Sequence, residues 1–322
     1  MSKLKGLLLT EGMHGMISQT EGLAKALELD YFHEKIELNN FWKLIPPKFT
    51  PVKRFIFKNS IKENFDVIIS CGRKSVIPSI FLKQKSQKKI FNIHIQDPKV
   101  SLQNFDFIVV PEHDDLQGEN VISTKGAIHY LTMKEIDENR YYLEDKINKN
   151  KNILTLILGG PTKHYKYTKE NIQNIFSKIN NSINKKNLQL LVIPSIRTPS
   201  ETIKLAKEYF GSNHLIIDNV DKKAYLSGLS LAKFIVVMCD SSSMISEAAL
   251  TGKPIYVAQI PSQTNDYRFK KFRDLFKQLN IIKELNDNLE IWNYEKLDET
   301  NRVAQTIKKK ININVIFKIN IK

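Results

Sequence analysis

The stretch FIVVMCDSSSMISEAALTGKP, residues 234–254, decides how this sequence is interpreted. Its apolar start is typical of a buried strand, and Ser243 to Thr251 has the pattern of a helix. Between them stand Asp240 and three consecutive serines. One serine is enough to cap a helix N-terminus, which is worth about 1 kcal/mol. The additional hydroxyls raise the question of whether this turn also binds a ligand.

The same order, an apolar run followed by an amphipathic segment of helical length, repeats along the whole chain. This alternation is typical of parallel sheets covered by helices. We predict strands at residues 6–10, 67–71, 90–95, 107–111, 153–158, 188–194, 215–217, 234–238 and 255–259. We predict helices at residues 17–29, 75–85, 169–183, 200–210, 222–232 and 243–251. The predicted fold class is α/β, with two Rossmann-like doubly wound domains facing across a cleft.

A polar, highly charged segment, EIDENRYYLEDKINKNKN at residues 135–152, separates the two halves. It predicts a connecting helix and linker, so we place the domain boundary near residue 150. The expected organisation is an N-terminal domain over 1–150, a second domain over 151–310 and a tail over 311–322. The tail, ININVIFKINIK, alternates apolar and polar residues as an edge strand does.

The composition of the 322 residues narrows the class of protein. No apolar run approaches the length needed to cross a bilayer, and MSKLKGLLLTEG enters a strand too early to leave room for a targeting presequence. Cys71 and Cys239 each end an apolar run, which argues against a zinc site or a disulfide framework. We expect a cytoplasmic protein, either free or peripheral to a membrane, with no metal.

A net charge of +15 would suit nucleic acid, an anionic membrane or phosphorylated ligands. Lysine is frequent everywhere and no pattern of a nucleic-acid-binding module accompanies it, so nucleic acid is not an expected partner. The segment FWKLIPPKFTPVKRFIFKN, residues 41–59, combines aromatic residues, prolines and cations. It is the best candidate for contact with an anionic membrane surface or a protein partner. A loop and helix packed on the first domain would explain the same composition.

Glycines follow the strand predicted at residues 153–158. Gly159 and Gly160, with Pro161 and Thr162, would let backbone N–H groups approach a phosphate beside a helix N-terminus. A plain tight turn explains the same residues, because neither a Walker lysine motif nor a GxGxxG fingerprint is present.

The serine-rich turn would repeat this geometry at the same edge of the sheet. Asp240, Ser241, Ser242 and Ser243 occupy the turn, and their surplus hydroxyl and N–H groups suit an oxyanion. Glu247 lies one helical turn beyond Ser243. A carboxylate there can accept from both hydroxyls of a ribose, at roughly 1.5 to 3 kcal/mol for each bond. Its structural alternative, a carboxylate near a helix N-terminus, gains only about 0.3 to 1 kcal/mol.

Charged residues also follow strands in the first half. Arg73, in CGRK, and Lys253 of the second half are candidate cations lining the cleft. Asp97, in IQDP, and His113, in VPEHD, have the placement that a general base needs. A structural role as turn formers explains Asp97 and His113 equally well.

Eight stretches, in order along the chain, resemble the mitochondrial-fission ELM family: SCGRKSVIPS, QDP, FDFIVVPEHD, STKGAIH, LGGPTKHY, PSIRTP, MCDSSSMISEAALTGKPIYV and RFKKFRDLF. The resemblance covers nearly all of the chain before residue 310. It implies a GT-B-like architecture whose C-terminal helix crosses back to the first domain, and a second domain similar to the donor-binding domain of GT-B glycosyltransferases. In those enzymes the two turns hold the diphosphate and a helix glutamate holds the ribose. These roles carry over to Gly159, Gly160, Ser242, Ser243 and Glu247.

The resemblance leaves two functions open. One is metal-independent glycosyl transfer from a UDP- or GDP-type sugar, with no other cofactor, to an unknown acceptor; His14, Asp97 or His113 would be the base. The other is a non-catalytic interaction or scaffold protein, because plant members are associated with recruiting a dynamin-related protein to mitochondria. The family's first loop commonly ends in Gly-His, whereas Met16 follows Gly15 here. Bacterial members are also described as nucleotide-sugar epimerases, but the chain has neither a GxxGxxG opening nor a YxxxK pair.

Overall fold

The computed structural model describes residues 3–61 and 64–319, with side chains up to residue 311. The chain divides into two compact units, each with its own six-stranded parallel sheet. Unit 1 comprises residues 1–130 and 298–322, and unit 2 comprises residues 131–297.

Unit 1 is a doubly wound sheet in the order β2-β1-β3-β4-β5-β6. Its strands are β1 (Lys5–Thr10), β2 (Asp30–Lys35), β3 (Val67–Cys71), β4 (Phe91–Ile95), β5 (Phe107–Pro111) and β6 (Val121–Thr124). Its first two helices are α1 (His14–Ala26) and α2 (Val76–Lys85). The strand order reverses between β1 and β3, which makes that position the topological switch point.

Unit 2 repeats the arrangement in the order β12-β11-β10-β7-β8-β9, and its order reverses between β7 and β10. The strands are β7 (Ile153–Ile157), β8 (Gln189–Ile193), β9 (Leu215–Ile216), β10 (Ala232–Met238), β11 (Ile255–Ala258) and β12 (Ile282–Glu284). The helices are α3 (Met133–Glu138), α4 (Tyr141–Glu144), α5 (Lys169–Lys186), α6 (Ser200–Phe210), α7 (Lys222–Leu231), α8 (Ser242–Ala249) and α9 (Tyr267–Gln278).

Each strand and helix predicted within residues 6–259 is present, so the predicted α/β class with two Rossmann-like units is confirmed. The central strands β7 and β8 are buried at every residue, as expected for parallel strands covered on both faces. The strands that the prediction omitted lie towards the sheet edges. In β2, DYFHEK, no residue is fully buried, so the strand carries no apolar run for a pattern search to find.

The unit boundary lies between residues 130 and 131 rather than near residue 150. The charged segment expected to be a linker belongs to unit 2, where α3 and α4 pack against α7. Leu143 is buried, its N–H donates to Ser227 Oγ at 3.2 Å, and that hydroxyl donates to the Arg140 carbonyl at 2.8 Å. The polar residues of the segment over 135–152 occupy the exposed faces of two short helices, and for this reason the segment resembled a linker.

The last helix, α10 (Glu299–Ile319), belongs to unit 1 although the sequence analysis assigned residues up to 310 to the second domain. Val303, Ala304 and Ile307 are buried in the core between α1 and the sheet. Residues 311–319 continue this helix, so the prediction of an edge strand there is wrong. Packing of its first turns nucleates the helix, and no glycine or proline follows to interrupt it. The end of the predicted tail, residues 320–322, lies outside the described residues. None of the helices in the described ranges has the length and apolar character of a membrane span.

Candidate functional site

The two turns singled out in the second half meet at the switch point of unit 2. Strands β7 and β10 are neighbours, with Ile157 opposite Val237, so the loops that follow them leave the same edge of the sheet side by side. The Gly160 N–H donates to the Asp240 carboxylate at 3.2 Å, which joins one turn to the other. Ligands of doubly wound sheets bind at this position.

Asp240 is the buried centre of this site. Its carboxylate accepts from Tyr167 Oη at 2.5 Å and from Arg197 Nη2 at 2.8 Å, in addition to Gly160. Only 2% of the residue is exposed. Burial, and then the charge of Asp240, raises the pKa of Tyr167, so this phenol stays protonated and donates. Asp240 therefore organises the loops around it, whereas the sequence analysis placed it among the groups that bind phosphate.

The two glycines are required by packing within the protein. A Cβ atom on Gly159 would lie 2.0 Å from Asp240 Oδ1, and one on Gly160 would lie 1.9 Å from the Arg197 carbonyl oxygen. The Thr162 hydroxyl accepts from the N–H of His164 and of Tyr165, so it too serves the turn. Pro161, beside it, is exposed. Their predicted contact with phosphate stays a prediction.

The serine turn separates into a cap and two groups that can bind a ligand. Ser241 caps α8, because its hydroxyl accepts from the Met244 N–H at 3.3 Å. Ser242 and Ser243 are partly exposed, and their hydroxyls have no partner within the part of the chain that the structure describes. Their backbone N–H groups occupy the first helical positions, where no acceptor within the helix exists. The N-terminus of α8 thus offers a set of donors suited to an anion.

Glu247 lies one turn further along α8. Its Oε2 accepts from Tyr225 Oη at 2.6 Å, and its other oxygen has no partner in the described residues. Burial raises the pKa of Glu247 to about 7, an effect that the hydrogen bond from Tyr225 partly opposes. One oxygen of this carboxylate is therefore engaged by Tyr225, and its predicted acceptance of both ribose hydroxyls stays a prediction.

Arg197 is a functional candidate that the sequence analysis quoted only within PSIRTP. It follows β8, and its side chain is 42% exposed while Nη2 is held by Asp240. The remaining guanidinium donors have no partner among the described residues. An arginine in a proline-flanked turn at the carboxyl end of a central strand was the available signal.

The two cations proposed for the cleft have other partners. Lys253 Nζ donates to the carbonyl oxygens of Leu229, at 2.7 Å, and Ser230, which end α7. Burial lowers the pKa of Lys253 to about 8. In unit 1, Arg73 Nη2 donates to the Lys43 carbonyl. Both residues therefore hold their own unit's backbone.

The three candidate bases all lie at the carboxyl edge of the unit 1 sheet. His14 begins α1, is exposed, and contacts the Tyr130 ring edge-on at 6.4 Å between centroids. Asp97 forms a turn with Lys99: its Oδ1 accepts from the Lys99 N–H at 2.9 Å, and its Oδ2 lies 2.5 Å from Lys99 Nζ. His113 is largely buried, with Nε2 3.7 Å from Asp114 Oδ1. A role as base stays a prediction for each.

The switch point of unit 1 holds an ion pair that the sequence analysis did not single out. Glu11 follows β1, and its Oε2 lies 2.7 Å from Lys74 Nζ while Oε1 accepts from the Lys74 N–H at 3.1 Å.

No three His, Cys, Asp or Glu side chains in residues 3–61 and 64–311 are grouped as a metal site requires.

Three solved structures share this fold over nearly their full length. The UDP-GlcNAc 2-epimerase of Methanocaldococcus jannaschii is 13% identical, with a TM-score of 0.57 and coverage of 95% of this chain and 99% of that one. The putative enzyme of Listeria monocytogenes is 14% identical, with a TM-score of 0.57 and coverage of 96% and 97%. The Neisseria meningitidis enzyme bound to UDP-GlcNAc is 12% identical, with a TM-score of 0.53 and coverage of 96% and 99%.

These similarities show the fold, which is GT-B-like and contains two Rossmann-like units.

Relatives by sequence identify the family. An uncharacterized protein of Rickettsia prowazekii is 27% identical over 93% of this chain and 96% of its own length. The mitochondrial fission protein ELM1 of Arabidopsis thaliana is 20% identical, and the match covers 76% of this chain and 64% of the plant protein. The sequence profile of the family described as mitochondrial fission ELM1 matches residues 14–311. The chain therefore belongs to the mitochondrial fission ELM1 family.

Proposed function

We propose that unit 2 binds a nucleoside-diphosphate sugar at its switch point, and that the protein transfers the sugar without a metal. The observation that carries this proposal is the N-terminus of α8. Ser242 and Ser243 present hydroxyl and N–H donors there that no described residue engages, and Glu247 lies one turn behind them with one oxygen similarly available. Capping needs only Ser241, so the other groups are surplus to the helix.

Arg197 would supply the positive charge for the diphosphate. Asp240 fixes one edge of the guanidinium, which lowers the entropy lost when the remaining N–H groups engage a ligand. Charge-assisted bonds from arginine to phosphate are about twice as strong as neutral ones. A fixed cation and a helix N-terminus would also stabilise the charge that develops on a diphosphate leaving group.

Glu247 would bind the ribose through the oxygen that Tyr225 does not engage. The phenol holds the carboxylate in one position, so a ribose hydroxyl meets a preorganised acceptor. Solved structures of the same fold are described with UDP-GlcNAc bound, which supports a UDP-type ligand in preference to a GDP-type one. The sugar and the acceptor are left open by these groups.

Calorimetric titration with UDP, GDP and ADP tests the binding site. UDP is expected to bind, and the Arg197→Met, Ser243→Ala and Glu247→Ala variants are each expected to bind it about tenfold more weakly, which corresponds to roughly 1.4 kcal/mol. Ser212→Ala is the matched control, because this exposed serine lies between the end of α6 and the start of β9, at the opposite edge of the sheet. If no nucleotide bound at millimolar concentration, the proposal would be wrong.

Release of UDP from UDP-GlcNAc tests for chemistry at the bound donor. With a cell-envelope extract as the source of the acceptor, wild-type protein should accelerate the release, because the sugar bonds to an acceptor hydroxyl as UDP leaves. Substitution by Ala of whichever of His14, Asp97 and His113 takes the hydroxyl proton should abolish the release and leave UDP affinity unchanged. UDP binding with no release in the presence of a cell-envelope extract would favour the alternative function. That alternative is a non-catalytic interaction protein, and the name of the plant relative, a mitochondrial fission protein, favours it.

A further inference from the structure

We propose that unit 1 docks on anionic phospholipid bilayers through a surface formed by residues 41–58, which we call the aromatic-basic surface. Four large apolar side chains extend from it into solvent. Phe41 is 65% exposed, Leu44 81%, Phe49 70% and Phe55 56%. Scattered exposed apolar residues are ordinary, but several in one short segment indicate a contact surface.

The aromatic-basic surface rests on an ordered base. Residues Leu38 and Phe57 form an antiparallel bridge, and Ile56 and Phe57 are buried in the core of unit 1. Trp42 packs partly on that core and contacts the Phe41 ring at 4.9 Å and the Phe55 ring at 6.0 Å between centroids. Phe41 and Phe55 therefore belong to one ring cluster that packs on the core through Trp42.

Two arginines fix the backbone of this segment. Arg54 donates to the carbonyl oxygens of Phe57, Lys58 and Asn59, and its guanidinium lies 4.7 Å from the Phe57 ring centre. Arg73 donates to the Lys43 carbonyl. The apolar side chains are thus presented by backbone held in place from two sides, so little ordering entropy is lost on contact.

The charge of the aromatic-basic surface favours an anionic partner. No aspartate or glutamate occurs between residues 38 and 62. Lys48, Lys53 and Lys58 are exposed and form no ion pair within the described residues, and Lys48 Nζ lies 5.9 Å from the Phe49 ring centre. A partner that covers this segment therefore meets exposed lysines and no carboxylate of the segment itself.

A bilayer with anionic headgroups meets both requirements at once. Aromatic and aliphatic side chains enter the interfacial layer, while lysines extend to the headgroups and gain about 1 kcal/mol each, or about fivefold in affinity. The backbone over residues 41–56 is a series of short 3-10 turns, so it offers no free strand for sheet addition. A membrane fits this arrangement better than a protein groove would.

Vesicle co-sedimentation of the full chain tests the proposal. Binding is expected to vesicles of phosphatidylcholine mixed with phosphatidylglycerol, to weaken with salt, and to be much weaker with phosphatidylcholine alone. Replacing Phe41, Leu44 and Phe49 together by Ser should reduce the partition coefficient at least about tenfold. Replacing Lys48, Lys53 and Lys58 by Gln should reduce it about fivefold per residue and remove most of the salt dependence.

The matched control replaces Val220, Tyr267 and Ile291 by Ser, because these apolar residues of unit 2 are similarly exposed, at 56%, 62% and 64%. It should bind vesicles like the wild type, and equal thermal midpoints would show that all variants fold. Equal binding to neutral and anionic vesicles, or none to either, would overturn the proposal. So would a loss of self-association in the Phe41, Leu44 and Phe49 variant without vesicle binding, which would assign the surface to a protein interface.

Discussion

Replacing Glu247 by Gln should stabilise the protein at alkaline pH. Gln keeps the oxygen that accepts from Tyr225 Oη and removes the ionisation. The pKa of Glu247 is raised from 4.5 to about 7 by burial, and each pKa unit corresponds to about 1.4 kcal/mol. The ionised carboxylate therefore costs the folded state about 3 kcal/mol relative to the protonated one.

The sign follows from the direction of the shift. The folded state binds the proton more tightly than the unfolded chain, so the favourable contribution is fully present below pH 4.5 and is lost as the pH rises through about 7. Between about pH 5.5 and pH 8.5 the wild type should lose about 2 kcal/mol of unfolding free energy that the Gln variant keeps. Lys253 titrates in the opposite sense, since burial lowers its pKa to about 8, but it is common to both proteins and cancels in the difference.

Urea denaturation of both proteins across this pH range measures the difference directly. Glu208→Gln is the matched control, because Glu208 is an exposed carboxylate on α6 of the same unit. Its unfolding free energy should follow that of the wild type at every pH. A difference between wild type and Glu247→Gln that stayed constant from pH 5 to pH 9 would refute the reasoning.

Three further substitutions test contacts within unit 2, two of them around Asp240 and one at the end of α7. Gly159→Ala should cost several kcal/mol in urea denaturation, because its Cβ would lie 2.0 Å from Asp240 Oδ1, whereas Gly15→Ala, with no atom within 4 Å, should change stability by less than about 1 kcal/mol; equal losses would contradict the packing argument. Asp240→Asn should cost about 1 to 3 kcal/mol, because asparagine has one acceptor oxygen for the three groups that donate to the carboxylate. An unchanged urea midpoint would contradict this. Lys253→Met should lower the thermal midpoint and leave UDP affinity unchanged in calorimetry, because the lysine ammonium binds carbonyl oxygens at the end of α7. Weaker UDP binding by this variant would show that Lys253 contributes to the ligand site.

The core of both sheets could be predicted from the sequence because central parallel strands are buried on both faces. In an α/β chain, a short run of apolar and β-branched residues such as Phe234 to Met238 indicates a buried strand directly. The edge strands that the prediction omitted, β2, β6 and β12, carry no apolar run of that length, and β12 has only three residues. The segment over residues 135–152 was misinterpreted for a related reason, since polarity reports exposure, which a short surface helix and a linker share.

The site could be predicted as a pair of loops but not as a set of contacts. Strand order brings the ends of β7 and β10 together, so Gly159 and Ser242 had to be near each other once the topology was doubly wound. The partners of a side chain depend on loop conformations that no spacing rule provides. Arg197 reaches Asp240 from the loop after β8, and Tyr167 reaches it from the far end of the loop that also holds Gly159. Because of these contacts, the predicted phosphate ligand is a buried carboxylate that holds the loops together.

The energetics of Glu247 bear on which interpretation of α8 is preferable. Near a helix N-terminus a carboxylate gains about 0.3 to 1 kcal/mol, and this gain was the structural alternative to a ligand. Burial reverses the balance, because a pKa raised from 4.5 to about 7 means that ionised Glu247 costs the fold about 3 kcal/mol. A neutral residue of similar size would make the helix more stable at neutral pH. Helix stability alone therefore gives no reason for a carboxylate at this position. A ligand hydroxyl beside Ser243 gives a reason, because it would bind the acceptor oxygen that Glu247 provides at the expense of folding stability.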